Sequence, residues 1–423
     1  VTVISDVSDL ALSRFLHPGD RIVIGQACGE PTTLVEALID QGRGIGGLSA
    51  FIATSFSGLF TPAATDSFSL LSMGAIGALR ALTKEHKLSV IPCHVSQIGP
   101  MIEAGIIGCD AAFVQVSPAD AEGNHSFGLI SDYVQAAVAK ARVVIAEVNE
   151  QVPFTHGEFL PAAKIDCAVH VSRPPVAVTP APIGVTDEAI AKYAAAYIED
   201  GSVVQTGVGA VPDAILRLLH DREDLGVHSG MIGDGLVGLV EAGVVTNARK
   251  RIDRGVSITG ALIGTRRLYD FARRNPRIRM CATSYTHDAA VLAQLDNLVT
   301  VNSALEVDLT GQVNAEQSGS AYLGGTGGQV DFVRAGARSP GGHAIIALPA
   351  TARGGTISRI AVSMSGPVTT ARSDVDVIVT EFGAAELKGQ TLAERTRRLI
   401  AIAHPDFAEE LARAAHIIQR RGF

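Results

Sequence analysis

Residues 226–235 read GVHSGMIGDG, which sets His228, Ser229 and Asp234 among four glycines. An imidazole, a hydroxyl and a carboxylate are the groups that acid–base and nucleophilic catalysis use. Glycines leave the backbone free to bend close to a ligand. The residue types mark a candidate active-site segment without saying which side chain acts.

Other stretches offer backbone rather than side-chain chemistry. In TGVGAVPD, Gly207, Val208 and Gly209 lie between an apolar run and a helical pattern that opens at Ala210. Amides at such a helix start suit an anion or developing negative charge. No GKS or GKT follows, so this is not a P-loop, and GxG without a following xxG is not a full dinucleotide fingerprint. A tight turn with no ligand is the competing reading. Residues 324–328 read GGTGG, so the amides around Gly327 and Gly328 can approach an oxyanion closely. The following QVDFV, which begins with Gln329, reads as a strand start that anchors this loop. Asn302 and Ser303 end an apolar run, where an asparagine either donates to a substrate carbonyl or fixes a loop. His125 and His156 sit on turns, with Glu158 placed to pair with His156. Cys28 and Glu30 share the turn QACGEP, and Cys28 reads as a buried structural thiol. There is no HExxH, CxxC or similar spacing, so no metal site is expected.

These segments need a scaffold. The chain has 423 residues, 47% hydrophobic and 18% charged, with 5% aromatic residues and no tryptophan. That length implies two or three domains. The richness in small and branched residues favours α/β layers. A net charge of −8 with no basic stripe argues against nucleic-acid binding. The densest basic cluster, RTRRL at 395–399, fits a solvated helix face beside Glu394. Five scattered cysteines suggest free thiols. The opening VTVISDVSDL lacks a signal-peptide pattern, and no apolar run reaches the ~18 residues a membrane helix needs. The expectation is a cytoplasmic enzyme with no membrane or nucleic-acid partner.

A proline-rich seam, VSRPPVAVTPAPIGVTDE at 171–188, reads as an extended linker. It predicts domains over 1–172 and 188–423, with residues 173–187 between them. The parts echo each other. DRIVIGQACGEPTTLVEAL and GSVVQTGVGAVPDAILRLL both run apolar strand, glycine turn, proline at the first helical position, amphipathic helix. SPADAEGN pairs with EVDLTGQVN, and the strand-like RVVIAEV with HAIIALP. Echoes in the same order favour a tandem duplication of one α/β domain.

The segments FVQVSPADAEGNHSFGLISD, TGVGAVPDAIL, HSGMIGDGLVGLVEAGVVTN, VNSALEVDLTGQV, GGTGGQVDFV and VTTARSDVDVIVTEFGAAELKGQTLAERTRRLIAIAHPDF run in the order of a known family. Over nearly its whole length the chain resembles the acetyl-CoA hydrolase/CoA-transferase family, and especially its 4-hydroxybutyrate CoA-transferase branch. The resemblance implies two tandem CoA-transferase-type (NagB/RpiA-like) α/β domains, with coenzyme A bound at the cleft between them, in a homodimer or larger homo-oligomer. It implies that Gly207, Val208, Gly209, Ala210 and Gln329 face CoA. Gly327 and Gly328 would face the thioester oxygen, with Asn302 nearby. The family's transferases use a glutamate that follows His-Ser. Here that position is Gly230, after His228 and Ser229, so no carboxylate stands there. Phe154 stands where relatives commonly carry arginine.

The missing carboxylate makes hydrolysis the expected reaction and leaves two alternatives. On that expectation, the protein hydrolyses an acyl-CoA with water at the thioester, or at a C–C bond of a β-keto or cyclic acyl-CoA, as some ring-opening hydrolases of this fold do. His228, Asp234, Glu30, His125 and Glu158 are candidate bases by residue type. In one alternative, it remains a CoA-transferase with a carboxylate from another position. In the other, it binds CoA without catalysis.

Overall fold

The structure is a computed structural model and describes residues 1–420. The chain divides into two compact units. The first comprises Val1–Thr179, Gly230–Asp234 and Ile258–Asp288, and the second Pro180–Ser229, Gly235–Ser257 and Ala289–Phe423. The chain therefore returns twice to the first unit after leaving it.

The first unit is built on eight parallel strands: β1 (Thr2–Ile4), β2 (Arg21–Ile24), β3 (Ser49–Phe51), β4 (Ser69–Ser72), β5 (Leu88–Val90), β6 (Ala111–Val116), β7 (Val143–Asn149) and β8 (Cys167–Val171). Their order is β1-β8-β7-β6-β2-β3-β4-β5. Every residue of β6 and β7 is buried, as expected for central parallel strands covered on both faces. Helix α1 (Thr32–Ile45) follows the β2 turn and buries Leu34, Val35 and Leu38 against Ile22, Ile24 and Phe113. Its apolar residues recur at helical spacing, and Pro31 caps it from just outside, where a missing N–H costs nothing. Helix α2 (Val134–Lys140) lies between β6 and β7 in sequence.

The second unit carries β9 (Val203–Thr206), β10 (Gly226–Val227), β11 (Leu298–Ser303), β12 (His343–Ala347), β13 (Val377–Thr380) and β14 (Gly383–Glu386). Their order is β10-β9-β11-β12-β13-β14, parallel except for the last pair. Helix α3 (Ala210–Arg217) follows β9, and α4 (Gln329–Arg338) precedes β12. Pro212 is the third residue of α3 rather than its first, still within the turn whose N–H groups lack helical partners.

The two sheets are laid down alike. In the first, the chain steps from β2 outward to β3, then returns to place β6 and β7 on the other side of β2. In the second it steps from β9 to β10, then places β11 and β12 on the other side of β9. Each sheet thus reverses direction once, beside β2 and beside β9. Open α/β sheets bind ligands at the C-terminal ends of the strands flanking such a reversal.

Two sequence expectations are corrected here. QVDFV is the start of α4, not of a strand. Val330 and Phe332 alternate as in a strand, but Val333 and Gly336 continue a buried helical stripe. The basic cluster lies on a helix, Leu392–Ala401, and Arg397 and Arg398 do bond Glu394 in its first turn. Arg395, however, is buried and donates to the carbonyls of Thr310 and Arg372. Residues 172–184 of the seam form no helix or strand. They are tied to the first unit by Val178 N–H on the Gly264 carbonyl and by the Tyr269 hydroxyl on Val176.

Candidate functional site

Two of the polar side chains that opened the sequence reading, Ser229 and Asp234, are bonded to other parts of the chain. Ser229 is buried, and its Oγ donates to the Thr206 carbonyl at 2.9 Å, fastening the segment to the end of β9. Asp234 accepts from Thr265 Oγ1 at 2.6 Å and from Thr265 N–H at 2.8 Å. Both groups are engaged in holding chain. His228 is fully buried, with its N–H directed at the Val204 carbonyl. The Gly230 carbonyl accepts the Gly260 amide at 3.1 Å.

Val227, just before His228, is clamped at both polar groups. Asn247 Oδ1 accepts its N–H at 2.8 Å, and the buried Lys250 ammonium donates to its carbonyl at 3.0 Å. Lys250 also donates to the Val256 carbonyl at 2.8 Å. Removing a charged donor strands buried carbonyls, so Lys250→Ala is expected to cost about 2–4 kcal/mol. The check is a lowered urea midpoint with an unchanged m value.

At the β9 reversal, Gly207, Val208 and Gly209 form the turn into α3. Gly209 has φ +134° and ψ 179°, a backbone state that requires glycine. A Cβ added at Gly207 or Gly209 meets no atom within 4 Å, so neither glycine is there to admit a neighbouring part of the protein. Ala210 is the first residue of α3. Next to it, β11 ends in Asn302 and Ser303, and Asn302 Nδ2 donates to Gln205 Oε1 on β9 at 3.2 Å. Gln329 Nε2 donates to the Ser303 carbonyl at 2.7 Å, and its Oε1 accepts from Thr370. Gln329 therefore ties the start of α4 to the end of β11. Gly327, at φ +59°, and Gly328, which caps α4, lead into that helix. The second unit thus gathers Gly207–Gly209, Asn302, Gly327 and Gly328 around strand ends β9 and β11.

The first unit gathers carboxyls. Glu30 lies in the turn after β2 and is fully buried. It accepts from Ser55 Oγ at 3.0 and 3.2 Å and from Ser57 Oγ. Burial pushes its carboxyl up to about 7, against the downward pull of those hydroxyls and of the Ser57 and Phe56 amides. Ser55 and Ser57 carry no signal in the sequence, since their loop lies 25 and more residues away. Asp132, also unsingled there, is buried and raised to about 6 by burial. It accepts the Tyr133 N–H at 2.6 Å and the Gln26 amide.

These shifts carry a stability consequence. The folded state holds the Glu30 proton more tightly than the unfolded chain does. That contribution is complete below about pH 4.5 and is lost as pH rises through about 7. It amounts to on the order of 3 kcal/mol. Glu30→Gln is expected to flatten the fall in urea midpoint between pH 5 and 8, with Asp132 leaving a smaller slope at the acid end.

Cys28, His125, Phe154 and Glu158 all lie in the first unit. Cys28 is buried and its thiol is pushed up to about 11 by burial, and all five cysteines are buried and free. His125 is buried, with Nδ1 2.8 Å from the Ser117 carbonyl. Glu158 is exposed on the wall of a cavity of about 350 Å³ that Asp132 and Lys164 also line. The Phe154 ring carries the Arg274 guanidinium 4.5 Å from its centroid, so a cation stands beside that position. Among the described residues, no cluster of three or more His, Cys, Asp or Glu is placed to hold a metal, and no helix is long and apolar enough to cross a membrane.

Two family models match this architecture. The acetyl-CoA hydrolase/transferase N-terminal domain matches residues 8–180 and the C-terminal domain residues 264–415. The chain belongs to the acetyl-CoA hydrolase/transferase family. This family member is 39% identical over 396 residues to the 4-hydroxybutyrate coenzyme A transferase of Clostridium kluyveri, covering 92% of each chain. Among solved structures it is similar to RipA of Yersinia pestis, with a TM-score of 0.91 at 34% identity over 99% of this chain and 97% of the other. The 4-hydroxybutyrate CoA-transferase of Porphyromonas gingivalis gives a TM-score of 0.83 at 33% identity over 99% and 98%. The acetyl-CoA hydrolase of Kluyveromyces lactis aligns over 48% of this chain and 38% of its own, at 30% identity. The fold is the α/β CoA-transferase type, and the family consists of acyl-CoA-processing enzymes.

Proposed function

We propose that the protein is a CoA-transferase, moving CoA from an acyl-CoA thioester to a carboxylate acceptor. The observation that carries this reading is its whole-length similarity to a named CoA-transferase, where the hydrolase similarity spans about half the chain. The site supports it. The open glycine turn Gly207–Gly209 suits the CoA moiety, and the amides at Gly327 and Gly328 suit the negative charge that builds on a thioester oxygen under attack. Asn302 stands beside them as a side-chain donor. The repeated order of connections in the two sheets supports a tandem duplication, and the family resemblance supports a homo-oligomer.

One observation favours a second reading, hydrolysis by water. Gly230 offers no carboxylate to form an acyl or CoA adduct at that position. The two separate cleanly. A panel of short-chain, hydroxy- and cyclic β-keto acyl-CoAs is incubated with and without acetate. The transferase reading expects acetyl-CoA to form and little free thiol to appear without acceptor. Thiol release at the same rate without acetate would establish hydrolysis instead.

A further inference from the structure

Two buried cations of the second unit spend their donors on backbone carbonyls. Lys250 donates to Val227 and Val256, and Arg395 to Thr310, Arg372 and Gln390. Arg359 differs. A guanidinium has five N–H groups. Arg359 donates from Nη1 to the Ala304 carbonyl at 3.2 Å, while its Nε is buried with no hydrogen-bond partner. It enters no ion pair among the described residues. Burial draws its proton affinity below that of an ordinary arginine, and the charge of Glu381 opposes this. Glu381 itself spends an oxygen on the Ala350 N–H at 2.8 Å. A half-buried charge with no bonded counter-charge costs free energy, so its place in the fold calls for a reason.

That place is fixed by backbone. The Arg359 N–H donates to the Ala350 carbonyl at 2.8 Å, just past β12. Its carbonyl accepts the Val307 N–H at 2.8 Å, and the next two residues, Ile360 and Ala361, pair in parallel with Val307 and Asp308. Ala304, which takes Nη1, follows the last residue of β11. The arginine thus sits where β11 and β12 end. The same end of β11 carries Asn302 and, through Gln329 on the Ser303 carbonyl, the start of α4. The side chain is partly exposed, and its Nη2 bonds nothing among the described residues. An anion that docks on Nη2 also supplies the acceptor that Nε lacks, because this edge of a guanidinium matches the two oxygens of a carboxylate.

We infer that Arg359 holds, on its Nε–Nη2 edge, the carboxylate of the acid that exchanges CoA. This rests on the transferase reading. On that reading Asn302, Gly327 and Gly328 serve the thioester, and Arg359 is anchored two residues past Asn302. The anion of the reaction nearest the thioester is the carboxylate of the acid. The phosphates of CoA lie at the far end of its pantetheine arm. Arg359 binds and orients the acid and takes no part in bond making.

The test uses the full chain, with acetate as the acid. Arg359→Gln keeps a neutral donor for the Ala304 carbonyl and removes the charge. It should raise the KM for acetate by roughly tenfold or more, the loss expected for a charge-assisted pair. The Kd for CoA and the urea midpoint should stay near their wild-type values. Arg359→Lys, which keeps the charge without the fork, should recover part of the loss. In the unsubstituted protein, acetate should slow phenylglyoxal modification of Arg359, and sodium chloride of equal ionic strength should not. Modification is read as loss of tryptic cleavage after Arg359, which leaves the peptide 354–372 uncut. An unmoved acetate KM in a folded Arg359→Gln variant, a raised Kd for CoA in its place, or equal labelling in acetate and chloride would overturn the assignment and leave the transferase reading standing. Wild-type protein that transfers CoA to no carboxylate would overturn both.

Discussion

Gly230→Glu is expected to raise acceptor-dependent CoA transfer by roughly 10³-fold over the unsubstituted protein, because a covalent nucleophile supplies a factor of that order or larger. The backbone at 230 is held from several sides. Its carbonyl is held by the Gly260 amide at 3.1 Å. On one side Ser229 is pinned to Thr206, and on the other Met231–Ile232 pairs in parallel with Ala261–Leu262. A glutamate there is therefore presented by chain that is already fixed. The measurement is the transfer rate with acetate, together with the site of the trapped adduct, which should be position 230. A Gly230→Glu variant that binds acyl-CoA and transfers no faster than the unsubstituted protein would mean that position 230 does not face the thioester.

Gly209→Val is expected to raise the Kd for CoA by about tenfold to a hundredfold, the equivalent of about 1.4–2.7 kcal/mol. It is also expected to lower stability by about 1–3 kcal/mol. Gly209 caps α3 at φ +134° and ψ 179°, and the Asp213 N–H donates to its carbonyl at 3.0 Å. Valine cannot hold that backbone, so the turn must rebuild and the amides at the helix start must turn away. Gly207 supplies the control. Its φ is not left-handed, and an added Cβ meets nothing in the protein. Gly207→Ala should leave the urea midpoint unchanged and weaken CoA binding only if the ligand approaches that surface. Calorimetric titration with CoA on both variants decides the matter. Wild-type affinity in both would remove this turn from the binding site.

Much of the fold was legible because it is written in local patterns. The β2 and β9 units announce themselves as apolar runs, glycine turns and helical stripes, and each of those preferences is set by residues within a turn or two of one another. The same locality misled at QVDFV. Five residues satisfy both a period of two and the start of a helical stripe, and the packing of Val333 and Gly336 settles the choice. Arg395 is a similar case. A basic residue on an amphipathic helix reads as solvated until carbonyls from distant loops are found around it.

The site divides along the same line. From the sequence alone came the family, the glycine turns and the absence of a carboxylate at 230, since each is a matter of residue identity in order along the chain. Whether a side chain is available for chemistry is a matter of what surrounds it. Ser229 and Asp234 look reactive in print, yet they are engaged by Thr206 and Thr265. Glu30 looks like one acid on a turn. Tertiary structure buries it under two serines brought from 25 and 27 residues away, and so raises its proton affinity. Desolvation and hydrogen bonding act over a few ångströms in space, and spacing along a chain does not encode which distant loop will supply them.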